Sequence, residues 1–276
     1  MILWLLACAG TPTVTERASP HAQPGTAPST DTGEPGLPAV AVEELEPSWS
    51  PEDVGERLAT ALGQMPDPTE AVNTYANLMR QGDAVCPGSE RVIVDTWLYG
   101  CDASTGYSFA GVTDWLTGEY DVAGQPMEME GVAGDFWIDT PEGHRLEGGG
   151  NAVVLTDGST WIGDLTGSWR YSGGSDWFAY GFSGTVSIQH LPGLFTLAEG
   201  AADVLGTHMA LHELMLPDAC NGGAQGDLSL RDPNGGWYRI AFEGCTECGP
   251  ITFEGTPIGE ACVDFGPFLA RIGSWP

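Results

Sequence analysis

The chain has 276 residues, with 38 Asp and Glu against 9 positive side chains, all arginine, and a formal net charge of −29. That balance repels phosphate backbones and anionic headgroups, and it argues against nucleic-acid binding. With 40 Gly and 20 Pro on 42% hydrophobic residues, the composition excludes a mainly helical body and favours many short elements joined by turns. No run of 18 apolar residues is present to span a bilayer as a helix.

Met1 to Cys8 is an apolar run that ends in Leu5-Leu6-Ala7-Cys8. This tetrapeptide resembles the lipobox of bacterial lipoproteins. The resemblance covers this segment alone. It implies cleavage before Cys8, a lipid anchor on Cys8 and, with Ala9 rather than Asp following, sorting to the outer membrane. The run is short for a complete signal and has no basic n-region, so the true start is expected upstream. Residues 1–8 are thus read as a signal remnant, and membrane attachment is expected through the lipid at Cys8.

Residues 9–48 carry Pro12, Pro20, Pro24, Pro28, Pro35 and Pro38 among Thr, Ser, Ala and Gly. Such a stretch buries too little apolar surface to offset its ordering entropy and reads as a disordered tether. Residues 49–82 then read as a helical hairpin packed on the body. Ser50-Pro51-Glu52-Asp53 supplies an N-cap, a first-position proline and first-turn acids. Val54, Leu58, Ala61 and Leu62 recur at helical spacing, Pro66-Asp67-Pro68 interrupts them, and Val72, Tyr75, Ala76 and Met79 resume the face.

From residue 83 to 276 the period becomes two. Tyr107, Phe109, Gly111, Thr113 and Trp115 share one face, and Phe178, Tyr180, Phe182, Val186 and Ile188 alternate with small or polar residues. Turns are signalled at Pro141-Glu142-Gly143, Asp157-Gly158, Gly173-Gly174 and Asp232-Pro233-Asn234-Gly235-Gly236. An apolar residue followed two positions later by glycine recurs, as at Phe109–Gly111, Leu165–Gly167 and Phe182–Gly184. The recurrence suggests strands that end or bulge at glycine. Ala198 to Leu205 reads as a short helix. The fold class is mainly β, an antiparallel sandwich or bent meander stapled by disulfides, with the short helical hairpin at its N-terminal side.

Setting Cys8 aside leaves Cys86, Cys101, Cys220, Cys245, Cys248 and Cys262, an even set suited to three disulfides in an oxidising compartment. Cys86 and Cys101 flank one strand and are expected to pair. The hairpin around Asn234-Gly235 would set Cys220 opposite Cys248 and leave Cys245 for Cys262. The turn around Pro257 would instead bring Cys248 to Cys262. A redox CxxC would open a helix beside a βαβ unit, which the pattern lacks, and zinc ligation competes with oxidation in an exported chain. No metal or cofactor is expected.

His208 and His212 have the spacing of a ligand pair, but the glutamate follows the second histidine, so HExxH is not matched. Nucleophile elbows and phosphate loops are not found. The tryptophans are more informative. Trp161, Trp169 and Trp115 fall on apolar faces and read as core. Trp137 shares the polar face with Asp135 and Asp139, Trp177 is on the polar side of Phe178 and Tyr180, and Trp237 is beside Arg239. Aromatics on a polar face beside carboxylates and an arginine suit stacking on sugar rings. The candidate ligand-binding set is therefore Trp137, Trp177, Trp237, Asp135, Asp139 and Arg239. The leading expectation is a non-catalytic surface or periplasmic module that binds a glycan or a protein partner. The alternatives are a secreted hydrolase with a carboxylate acid and base, assisted by His208 or His212, and a purely structural envelope lipoprotein.

Overall fold

The computed structural model describes residues 45–87, 95–172 and 180–272. Cys8, nearly all of the tether, Gly173-Gly174 and Trp177 lie outside the described residues.

Two helices come first. α1 (Pro51–Gln64) starts at Ser50, whose side chain accepts from the Asp53 N–H while Asp53 reaches back to the Ser50 N–H, a reciprocal cap. α2 (Pro68–Met79) starts at Asp67, whose carboxylate accepts from the Thr69 N–H. Both have proline in the first turn, where its missing N–H costs nothing. The expected helical hairpin is present.

Twelve strands follow: β1 (Asp95–Asp102), β2 (Ser108–Val122), β3 (Gln125–Asp139), β4 (Arg145–Thr156), β5 (Trp161–Ser172), β6 (Tyr180–Leu191), β7 (Phe195–Val204), β8 (Thr207–Pro217), β9 (Ala224–Arg231), β10 (Trp237–Thr246), β11 (Cys248–Phe253) and β12 (Thr256–Cys262). They form one sheet in which each strand pairs antiparallel with the next. A short helix, α3 (Gly266–Ile272), closes the described chain. Of the two β architectures the sequence allows, this is the bent meander.

Residues 198–205 are not a helix. They complete β7 and enter a two-residue turn, in which Leu205 (φ 50°) and Gly206 (φ 85°) are both left-handed. Small residues at Ala198, Gly200, Ala201 and Ala202 blurred the alternation, while pairing with β6 and β8 on either side secures the strand.

The helices cover one face. α2 lies on β3, β4 and β5, and α1 touches β12, β7 and β8 as well as α3. In a flat sheet β7 and β12 would be roughly 24 Å apart, and a helix laid across them would pack as closely on β9, β10 and β11 between them, which α1 does not. The sheet therefore curves around its helices. Tyr75 of α2 donates to or accepts from Thr113 Oγ1 at 2.6 Å and lies against Phe136 and Trp115. Trp169 and Phe136 fill the centre edge to face. Trp115, expected as core, has the right face but lies at the rim. It stacks on Tyr75 and stays 37% exposed, because β2 and β3 project beyond the helix.

A line of glycines crosses the sheet. Gly134, Gly150, Gly167 and Gly184 are direct cross-strand partners, with φ of 154°, 144°, 90° and 146°. A Cβ on any of them would sit 1.9 to 2.3 Å from a carbonyl oxygen of the neighbouring strand. Gly167 and Gly184, expected to end or bulge strands, instead lie mid-strand in continuous register with Gly134 and Gly150, where the four form a crease.

All six remaining cysteines are paired, as Cys86–Cys101, Cys220–Cys245 and Cys248–Cys262. The first is the expected pair. The second and third follow the turn at Pro257, since Cys248 and Cys262 are register partners across β11 and β12. The alternative pairing of Cys220 with Cys248 and Cys245 with Cys262 is therefore excluded.

Candidate functional site

The face away from the helices is divided by the crease. On one side of it the row farthest from the crease is largely apolar, with Met129, Leu155 and Ile162 as successive partners continued by Gln189, Leu197 and Met215, while the rows nearer the crease carry Asn151, Thr166 and Thr185, and Asp164, Ser187 and Glu199. On the other side the rows are polar. Trp137 on β3 is opposite Glu147 on β4, Glu147 is opposite Arg170 on β5, and Arg170 is opposite Gly181 on β6.

Trp137 is half-buried, as alternation with buried Phe136 and Ile138 requires. The Arg145 guanidinium lies 4.6 Å from the centre of its ring, a cation–π arrangement. Two N–H groups hold that guanidinium: Nε donates to Asp139 Oδ1 at 2.5 Å and Nη2 to Asp139 Oδ2 at 2.7 Å. Glu147 approaches Arg145 at 3.5 Å and Arg170 at 4.0 Å. The hydrogen bond to Asp139 raises the pKa of Arg145 above the usual guanidinium range. Asp135 is exposed and faces Gly149 across the pair.

Beyond Arg170 the row opens into a notch of about 370 Å³ lined by Ser168, Arg170, Gly181, Ser183, Asp203 and Leu205. Gly181 forms its floor, and a Cβ there would lie 3.1 Å from Leu205 Cδ2. The Leu205 N–H donates to the Gly181 carbonyl at 3.0 Å, which holds the Leu205 turn over the notch. Asp203 is already engaged: Oδ2 lies 3.0 Å from His208 Nδ1 and Oδ1 accepts from the Gly206 N–H at 2.8 Å.

The other expected aromatic is elsewhere. Trp237 is 39% exposed on β10, across from Arg231, and its N–H donates to Glu254 Oε1 at 2.6 Å. Arg239 is committed to Asp227 at 2.7 Å. β3 and β10 are seven positions apart in the sheet, roughly 34 Å along its surface. Trp137, Asp135 and Asp139 are therefore brought together, while Trp237 and Arg239 form a separate patch. Arg145, Glu147, Arg170 and Gly181 join the first group, and the sequence reading did not include them. The available signal was Arg170 between Trp169 and Tyr171, an outer-face position by the same alternation that placed Trp137.

Cys248, Glu260 and Cys262 form the one metal-like cluster among the described residues. Both of its sulfurs are committed to a disulfide. His208 and His212 are both exposed on β8. Each carboxyl group with a resolved shift is held below its ordinary range. Hydrogen bonds lead for the exposed ones, from Ser50 to Asp53, Ser104 to Asp83, Thr140 to Glu142 and Thr160 to Asp157. In comparisons with protein families, curated proteins and solved structures, nothing matches this chain.

Proposed function

We propose that this protein is a non-catalytic, lipid-anchored module of the bacterial cell envelope that binds a glycan on the polar half of its outer face. One observation carries the reading: Trp137, Glu147, Arg170 and Gly181 lie in one row. That row offers an aromatic body, ionised hydrogen-bonding groups and a notch within about 15 Å, the span of a short saccharide. Glu147 offers carboxylate oxygens that accept hydrogen bonds from sugar hydroxyls, and Arg170 offers donors to sugar oxygens. The anchor rests on Leu5-Leu6-Ala7-Cys8, and the three disulfides fit an oxidising, exported setting. A protein partner is the second reading, favoured by the exposed Trp237 with Arg231 and Arg239 beside it.

The test is a tryptophan-fluorescence titration of the full chain with soluble cell-wall fragments and neutral oligosaccharides. A saturable change that disappears in Trp137→Ala and survives in Trp237→Ala supports the glycan reading. A saturable change abolished only in Trp237→Ala moves the site to the second patch. No change with any saccharide overturns the reading.

A further inference from the structure

We infer that the notch beside Arg170 selects a sugar carrying a carboxylate. The inference rests on the glycan reading and names the ligand class within it. Five features of the notch point this way. Arg170 is 73% exposed at its side chain and approaches Glu147 at 4.0 Å, a carboxylate shared with Arg145 at 3.5 Å. Its planar fork of donors is therefore left to a ligand, and guanidinium pairs with carboxylate through two parallel N–H···O bonds. Asp203, the one acid lining the notch, has one oxygen taken by the Gly206 N–H and the other beside His208. Ser168 and Ser183 are cross-strand partners on the floor and add two hydroxyls suited to ring oxygens and hydroxyls. Leu205 is 56% exposed at the rim and supplies an apolar contact for a ring face. Gly181 carries no side chain, so only the flexible end of Leu205 lies over that part of the notch. With a net charge of −29, the chain as a whole repels polyanions, so the notch takes a short acidic saccharide at one point and not a long charged polymer.

The experiment uses the full chain and calorimetric titration with trigalacturonate and with its methyl ester, which keeps the rings and hydroxyls and loses the charges. The acid is expected to bind about tenfold more tightly than the ester, the contribution of one charge-assisted pair. Arg170→Gln should erase that preference and leave both forms equally weak. Gly181→Val should abolish binding of both while the thermal midpoint stays within a few degrees of the parent, because the group its side chain meets is the flexible end of Leu205. Equal binding of acid and ester by the parent, or a preference that survives Arg170→Gln, overturns the inference. If neither form binds while neutral saccharides still change the fluorescence of Trp137, the carboxylate inference falls alone. If no saccharide binds, the glycan reading falls with it.

Discussion

Two aspartates show how differently the molecule uses charge. Asp232, 2% exposed, has no countercharge in its hydrogen-bond set; it accepts from Ser48 N–H and Oγ, from the Asn234 N–H and from Tyr238 Oη at 2.7 to 2.9 Å. Asp139, 32% exposed at its side chain, holds one arginine through two bonds. The first fastens the segment that enters the body: Asn234 Nδ2 donates to the Glu46 carbonyl, and Trp49 stacks on Tyr238 with the Arg57 guanidinium 4.2 Å from the centre of its ring. The second fixes a guanidinium over Trp137. A buried acceptor surrounded by neutral donors contributes to stability, because removing it leaves those donors unpaired. A surface pair contributes little to stability and serves to orient.

The largest effect is therefore expected from Asp232→Ala, about 3 kcal/mol of lost stability with proteolytic release of residues 45–50, read from denaturant midpoints and limited digestion. A loss below 0.5 kcal/mol would erase the contrast. Acid sharpens it. Burial raises the Asp232 pKa, but the bonds from Asn234, Tyr238 and Ser48 outweigh it and leave the net value lowered. The folded pKa thus lies below the unfolded value of about 3.9, so this stabilisation is complete above about pH 4 and is lost as pH falls through the folded value. Stability curves from pH 6 to 2 should flatten in Asp232→Asn. Tyr238→Phe should cost roughly 1–2 kcal/mol, since it removes a donor to Asp232 and an acceptor for the Trp49 N–H. Burial and Asp232 push that phenol up to about 12, so no alkaline transition from it is expected below pH 10. The smallest stability change belongs to Asp139→Asn, within about 1 kcal/mol. It should nevertheless shift the Trp137 emission, because Arg145 loses half of its fork. A large loss of stability with unchanged emission would reverse the roles of the two aspartates.

Much of the fold was legible because local rules decide it. The cap at Ser50, the turns at Pro141–Gly143, Asp157-Gly158 and Asn234-Gly235, and the Cys86–Cys101 pair each depend on residues close in sequence, whereas Asp67 read only as a helix break and proved to be a cap. Other turns were harder to see: Ala123-Gly124, Leu205-Gly206 and Glu254-Gly255 place an ordinary residue at positive φ where Asn or Asp is usual. Alternation showed that Trp137 shares a face with Asp135 and Asp139, but not which residues lie across from it. Arg145, Arg170 and Gly181 reach Trp137 through register over four strands, and Gly181 is one glycine among 40. The same gap separates Trp237 from Trp137, two tryptophans with one local pattern at distant places in the sheet.

The glycine crease has a consequence for how the meander is assembled. Twelve strands paired in chain order are exposed to slippage, and a shift of one residue exchanges the two faces of a strand. At Gly134, Gly167 or Gly184, such a shift would bring a side-chain-bearing residue to a position where a Cβ meets a carbonyl oxygen at about 2 Å. Leu165–Gly167 beside Gly150, or Phe182–Gly184 beside Gly167, can close only when glycine reaches glycine. The crease therefore acts as an error check on β3, β5 and β6, rejecting a one-residue slip of any of them, while β4 with Gly148-Gly149-Gly150 is not policed in the same way.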